Sequence, residues 1–304
     1  MTNTIAIVGS PTALGGHFAG MDRGPADLRA AGLLDRLYDR PRLGDATFVD
    51  HGDVPNDPGW APDADPIMKN RQAIIDYLGR LATYVEDVLD EDPGARLLML
   101  GGDCTTHAGT MAALKRATPD ARLAIAWFDA HGDFNIPAST PSGNVWGMPF
   151  AMLCGRGDPG LVAACDGPTV REEDAALLGG QVLDEQESRM LAASPVAQFG
   201  AGMLAGPAGL AALEGWSRVV GERTDGLYVA FDLDAIDASE GVCVAMPEPD
   251  GLSLETAVDA IRILARANRI VGFGPTATMR RSDSPLDFDR HVDTVARLTE
   301  AALE

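Results

Sequence analysis

Basic side chains are scarce in this chain: 24 Lys and Arg stand against 45 Asp and Glu, a formal net charge of −21. A nucleic-acid or anionic-membrane partner needs a basic patch to neutralise its phosphates, so the charge argues against both partner classes. Acidity alone does not select a cationic substrate, and solubility or a saline interior is the simpler account. No apolar run approaches the length of a membrane span. The start, Met1 to Gly9, lacks a basic n-region and a long apolar h-region, so it reads as a first strand and not a secretion signal. The four cysteines, Cys104, Cys154, Cys165 and Cys243, show neither C-x-x-C spacing nor the density of a disulfide framework. A reducing, cytoplasmic setting is expected. Internal repeats, low-complexity tracts and linkers are absent, which predicts one domain over residues 1–304.

What is present suits a large core: 46% hydrophobic residues and a mean hydropathy of −0.01. Strand-like runs occur at Ile5 to Val8, Ala46 to Val49, Arg96 to Leu100, Leu123 to Phe128, Pro195 to Phe199, Gly226 to Phe231 and Arg269 to Phe273. Helical patterns fall between them, over residues 25–38, 67–89, 106–116, 207–216, 254–268 and 288–303. The alternation predicts an α/β fold, a mostly parallel sheet with helices on both faces. Ligands of such sheets bind at the carboxyl ends of the strands.

Two acidic runs sit at those ends. Asp129-Ala130-His131-Gly132-Asp133 follows Leu123 to Phe128, and Asp232-Leu233-Asp234 follows Leu227 to Phe231. In extended chain, residues two apart point the same way, so Asp129, His131 and Asp133 share a side, as do Asp232 and Asp234. A lone Asp-x-Asp is usually a solvated loop. Four carboxylates and an imidazole converging behind core strands instead call for divalent cations, two of them.

The ordered motifs resemble the ureohydrolase superfamily, the arginases and agmatinases. They begin at Gly24-Pro25 with Leu28-Arg29, continue through Gly101-Gly102-Asp103 and the Asp-Ala-His-x-Asp run, and include Ser142-Gly143-Asn144 with Gly147-Met148-Pro149. They end with Phe231-Asp232-Leu233-Asp234 and Met246-Pro247-Glu248-Pro249. The resemblance implies a three-layer α/β/α arginase-like fold and two divalent metal ions, manganese in the family, bridged by a hydroxide that attacks a guanidinium carbon. By that resemblance Asp129 and Asp232 bridge both metals, Asp133 binds the first, and His131 and Asp234 bind the second. Asn135, Ser142 and Asn144 match loops that hold a substrate α-carboxylate, although turn residues of that composition need no such role. The implied partner is a small guanidino or amidino molecule, and the implied assembly a homo-oligomer, trimer or hexamer.

Four positions depart from the family pattern. Cys104 stands where a histidine binds the first metal. As a thiolate ligand it would add a negative charge and favour a softer metal than manganese. His107, three residues on, is expected to cap or pack. Trp146 replaces a histidine thought to shuttle protons; an indole only donates, so it is expected to wall the pocket or stack on a flat cation. Gly274 and Ala277 replace an aspartate and the glutamate that grips the guanidinium, and no acid lies between Arg269 and Arg280. Gly200 to Met203 replaces a segment in which relatives often carry a basic residue. Ligands kept while substrate contacts change point to retained metal chemistry on an altered substrate, such as Nω-hydroxyarginine, with plain arginine doubtful. The alternative is a catalytically altered or inactive arginase-fold protein that binds a ligand or acts in an assembly. A Cys104 nucleophile is disfavoured because no histidine is evidently paired with it. The acidic stretches Asp53 to Asp65 and Asp184 to Glu187 read as solvated surface, and His17 as a residue of the pocket mouth or merely exposed. His51 and His291 carry no functional signal.

Overall fold

The computed structural model describes residues 3–56, 65, 67–281 and 286–304. Eight strands form one sheet: β1 Thr4–Ser10, β2 Thr47–Asp53, β3 Arg96–Gly101, β4 Leu123–Asp129, β5 Val170–Gly179, β6 Ala197–Gly200, β7 Gly226–Asp232 and β8 Ile270–Thr276. Their order is β2-β1-β3-β8-β7-β4-β5-β6, and every neighbouring pair is parallel. Between them run α1 Gly24–Ala30, α2 Leu33–Tyr38, α3 Arg71–Glu91, α4 Thr105–Ala117, α5 Pro149–Leu153 and α6 Pro159–Ala164. Then follow α7 Glu185–Ala192, α8 Ala201–Leu204, α9 Pro207–Gly221, α10 Leu254–Ala267 and α11 Phe288–Leu303.

Strand alternation divides the core into two layers, as a sheet buried on both faces requires. Ile5, Ile7, Leu98, Leu100, Ala126 and Phe128 pack with side chains of α1, α2, α9, α10 and α11. Ala6, Val8, Leu97, Met99, Ile125 and Trp127 pack on the opposite face with α3, α4 and α5. The architecture is the three-layer α/β/α sandwich that the sequence predicts. No helix among the described residues is long and apolar enough to cross a membrane.

Several boundaries differ from expectation. The helix predicted over 25–38 is two helices, because Gly32 turns left-handed at φ 80° between them. The helix predicted from residue 67 starts at Arg71, after Asn70 at φ 59° has turned the chain and donated its amide to the Leu14 carbonyl at 2.8 Å. Strand β5 escapes sequence reading because it opens with Arg171-Glu172-Glu173-Asp174. The fully buried Asp174 carboxylate is neutralised by Arg122 and Arg223, each at 2.6 Å. Most of the loop predicted between Asp53 and Pro66 lies outside the described residues.

Candidate metal centre

The carboxyl ends of β3, β4, β7 and β8 meet at one point of the sheet edge, and every acidic residue of the two runs is there. At the end of β3 the chain turns into α4 through Asp103 and Cys104. Asp103 is fully buried and spends its oxygens on backbone: its Oδ2 accepts from Gly15 N at 2.8 Å and its Oδ1 from Thr105 N at 2.9 Å. It shapes the turn. Cys104 then points its Sγ at Asp232 Oδ2, 2.9 Å away, and donates to it.

Asp129 ends β4. Its Oδ1 accepts from His131 N at 2.7 Å and its Oδ2 from Trp127 Nε1 at 3.1 Å. The chain bends after Asp129, so His131 folds back with Nδ1 at 3.3 Å from Asp129 Oδ1 and 3.2 Å from Asp234 Oδ2. Asp133 follows in a left-handed conformation at φ 47°, which an aspartate tolerates, and one of its buried oxygens, Oδ2, has no hydrogen-bond partner. From β7, Asp232 Oδ1 accepts Asp234 N at 2.8 Å, while Asp234 Oδ1 reaches across to accept Ala130 N at 3.0 Å.

Two groups of donor atoms result, each with all members within 4.8 Å: Cys104, Asp129 and Asp232, and Asp129, His131 and Asp234. Asp129 belongs to both. Asp133 belongs to neither, although it lines the same cavity. Burial and the Asp234 charge raise Asp129 to about 6. Burial and the neighbouring carboxylates raise Asp133, Asp232 and the Cys104 thiol well above their ordinary ranges. Burial alone would lower His131, yet its bonds to Asp129 and Asp234 push it up to about 12. A dry site crowded with anionic donors, sharing one carboxylate and leaving buried atoms without partners, fits two divalent cations.

Around the cluster lies a cavity of about 330 Å³. Asn135, Ser142, Asn144 and Trp146 all line it. Asn135 donates to Asp184 Oδ2 at 2.9 Å and to Glu187 Oε1 at 3.2 Å. Asn144 accepts from Lys69 Nζ at 3.2 Å through Oδ1 and donates through Nδ2 to His17 Nδ1 at 2.9 Å. Ser142 Oγ accepts Asn144 N at 3.2 Å. His17 stands at the mouth, its ring 5.4 Å from that of Trp146. Phe18 stacks on the Trp146 ring with centroids 5.9 Å apart. His51 takes no part in the cavity lining, and His291 is buried elsewhere between Cys243 and Thr278.

The wall formed by β8 is apolar. Ala277, at φ 65° and buried, packs with Met21 and Ala245. Gly274 has a structural reason: a Cβ there would run into the Tyr228 hydroxyl, which His107 Nδ1 contacts at 3.0 Å. His107 is fully buried under the site, bonded to Tyr228 and outside both donor groups, so it packs there, and burial lowers it to about 3.

The stretch Asp184 to Glu187 is not simply solvated surface. Asp184 caps α7, and Glu187, three residues on, completes a capping box and turns inward. Glu187 is buried, accepts Phe134 N at 2.9 Å and is raised by burial to about 7. The Asp-x-x-Glu spacing carried that signal. Glu248 also lines the cavity, a position that sequence reading used only as a motif letter.

The arginase-family profile matches residues 3–274. Arginase from Bacillus caldovelox is 32% identical over 271 residues, covering 88% of this chain and 87% of that protein. Its native structure at pH 5.6 superposes with a TM-score of 0.86 at 29% identity, covering 98% of this chain and 97% of that one. Arginase from Bacillus cereus gives a TM-score of 0.84 at 27% identity, covering 99% and 98%. A family profile and sequence matches over most of the chain, joined to the same fold, have one reading: this chain belongs to the arginase family.

Proposed function

We propose that this chain hydrolyses the guanidino C–N bond of an arginine-derived amino acid, with an N-hydroxyguanidine such as Nω-hydroxyarginine as the preferred head group. The observation that carries the reading is the contrast within one cavity. Five donors converge in two groups with Asp133 on the same cavity wall, while the wall at Ala245 and Ala277 offers no carboxylate to a guanidinium.

Asp129 and Asp232 would lie between the two cations, Cys104 and Asp133 would complete the first site, and His131 and Asp234 the second. Once bound, the cations supply Lewis acidity and a nucleophilic oxygen at neutral pH. Manganese is the family's metal, and the Cys104 sulfur tilts the first site toward a softer ion. Asn135, Ser142 and Asn144 would bind the amino-acid carboxylate. Asp184 and Glu187, beside Asn135, are placed to take the ammonium. Trp146 would lay its indole face along the flat head group and keep water from it. An N-hydroxyl withdraws electron density, so the head group is less cationic and depends less on a facing carboxylate. Hydrolysis adds one water across the carbon–nitrogen bond, releasing the side-chain amine with the transferred proton and an N-hydroxyurea.

The test is a product assay on metal-loaded protein with Nω-hydroxyarginine, arginine and agmatine. The expected kcat/KM for the hydroxylated substrate exceeds that for arginine by about tenfold or more, roughly 1.4 kcal/mol. Agmatine, without a carboxylate, is expected to be poorest. Arginine turned over faster than its hydroxylated form would overturn the head-group assignment. Metal-loaded protein with no turnover of any of the three would favour a ligand-binding, non-hydrolytic member of the family, which the thiol of Cys104 and the indole of Trp146 would suit.

A further inference from the structure

We propose that Glu248 is a positioning residue that receives the His131 Nε2–H and so fixes the ring whose Nδ1 faces the second cation site. The inference rests on the metal-centre reading above.

The two ring nitrogens of His131 have different surroundings. Nδ1 faces Asp129 and Asp234 at 3.3 and 3.2 Å and is the atom that joins them in a donor group. Nε2 points the other way, is buried, and has no hydrogen-bond partner. The carboxylate on that side is Glu248, with Oε1 at 3.8 Å. The Glu248 side chain is about one-quarter exposed and makes no other ion pair or hydrogen bond among the described residues. A modest rotation of this uncommitted side chain brings its oxygen within hydrogen-bond reach. An imidazole that gives one nitrogen to a metal carries a proton on the other, and a buried donor without an acceptor is costly. A carboxylate there fixes the tautomer, orients the ring and raises its basicity toward the metal. Glu248 stands on the Nε2 side of the ring, opposite the Nδ1 that joins the donor group, so it acts through His131 and not on a cation.

The backbone holds this relation in place. Glu248 lies between Pro247 and Pro249, and the following proline keeps it extended. Its carbonyl accepts Ala238 N at 3.0 Å, Gly251 N donates to Asp237 Oδ2 at 3.1 Å, and Leu252 N donates to Ala235 O at 2.8 Å. The segment carrying Glu248 is thus stitched to the 3-10 turn Leu233–Ala235 that carries Asp234. Ligand and orienting carboxylate share one piece of scaffold.

The experiment titrates chelator-stripped full-length protein with manganese, comparing wild type, Glu248→Ala and Glu248→Gln. In Glu248→Ala one of two sites is expected to lose about 10- to 100-fold in affinity while the other changes less than about threefold. Glu248→Gln keeps an acceptor oxygen and is expected to fall between. In zinc-loaded protein the His131 ring N–H is expected as a slowly exchanging downfield proton signal, present in wild type and Glu248→Gln and absent in Glu248→Ala. Two sites of wild-type affinity in both variants overturn the assignment. So does equal weakening of both sites together with a lower melting temperature of the metal-free variant, which marks a merely structural role. Wild-type protein that takes up no cation overturns the metal-centre reading and this inference with it, a result distinct from either.

Discussion

At the ends of β4 and β7 the chain places Asp129, His131, Asp232 and Asp234, each held by a backbone amide or by another member of the set. After the ends of β3 and β8 it places Cys104 and Ala277, a soft donor and a methyl group with nothing to offer a cation or a guanidinium. Cys104 and Ala277 are buried, as are Asp129, Asp232 and Asp234. The altered half even has a firm floor, with His107 and Tyr228 fully buried beneath it. What differs is the chemistry presented: one half offers carboxylates and an imidazole that could hold cations, and the other a thiol and an apolar wall.

That division can be broken most severely at the carboxylates proposed to lie between the two cations. Asp232→Asn removes an oxygen from between the two proposed sites and the acceptor of the Cys104 thiol; turnover is expected to fall by more than about a thousandfold, with metal content dropping at both sites. Elemental analysis alongside kinetics checks this, and unchanged metal content would contradict it. Next in size is Ala277→Glu, which returns a carboxylate to the apolar wall. Arginine should gain about tenfold in kcat/KM relative to Nω-hydroxyarginine, in competition assays that hold metal content equal. The left-handed backbone at position 277 is common to both residues, so melting temperatures report any strain separately.

Cys104→His sharpens the comparison from the metal side. Manganese affinity at the first site is expected to rise by about tenfold and preference for a thiophilic ion such as cadmium to fall, both measured by competition with a chelator. An unchanged preference would remove Cys104 from the ligand set. The smallest effect concerns pH. His291 is buried between Cys243 N and Thr278 Oγ1, at 3.0 and 3.1 Å, and so joins the loops that carry Ala245 and Ala277. Burial lowers it to about 4. The folded state therefore binds the proton less readily than the unfolded chain, and its contribution is complete above about 6.5 and lost as pH falls toward 4. The stability advantage of wild type over His291→Gln should shrink across that window in chemical denaturation, and a constant difference would contradict the assignment.

Much of this was legible in the sequence because buried parallel strands are continuous apolar runs. Leu123 to Phe128 and Leu227 to Phe231 are such runs, and their ends place the acids that follow at the sheet edge. Strand β5 was hidden because Asp174 is buried by pairing with arginines that lie 52 and 49 residues away in sequence. Glu187 was hidden for a related reason: an acid three residues into a helix looks solvated until the helix is seen to dock against the cavity. Glu248 carried no periodicity at all, and its place opposite His131 Nε2 depends on the fold of the loop between Ala235 and Leu252. Residues two apart were expected to share a side throughout the first acidic run, yet the bend after Asp129 and the left-handed Asp133 replace that simple alternation.

The most direct test of the whole account is metal stoichiometry by elemental mass spectrometry, on protein purified without chelators and reloaded with manganese under reducing conditions. The account predicts close to two cations per chain. A chain that holds none after reloading would contradict it.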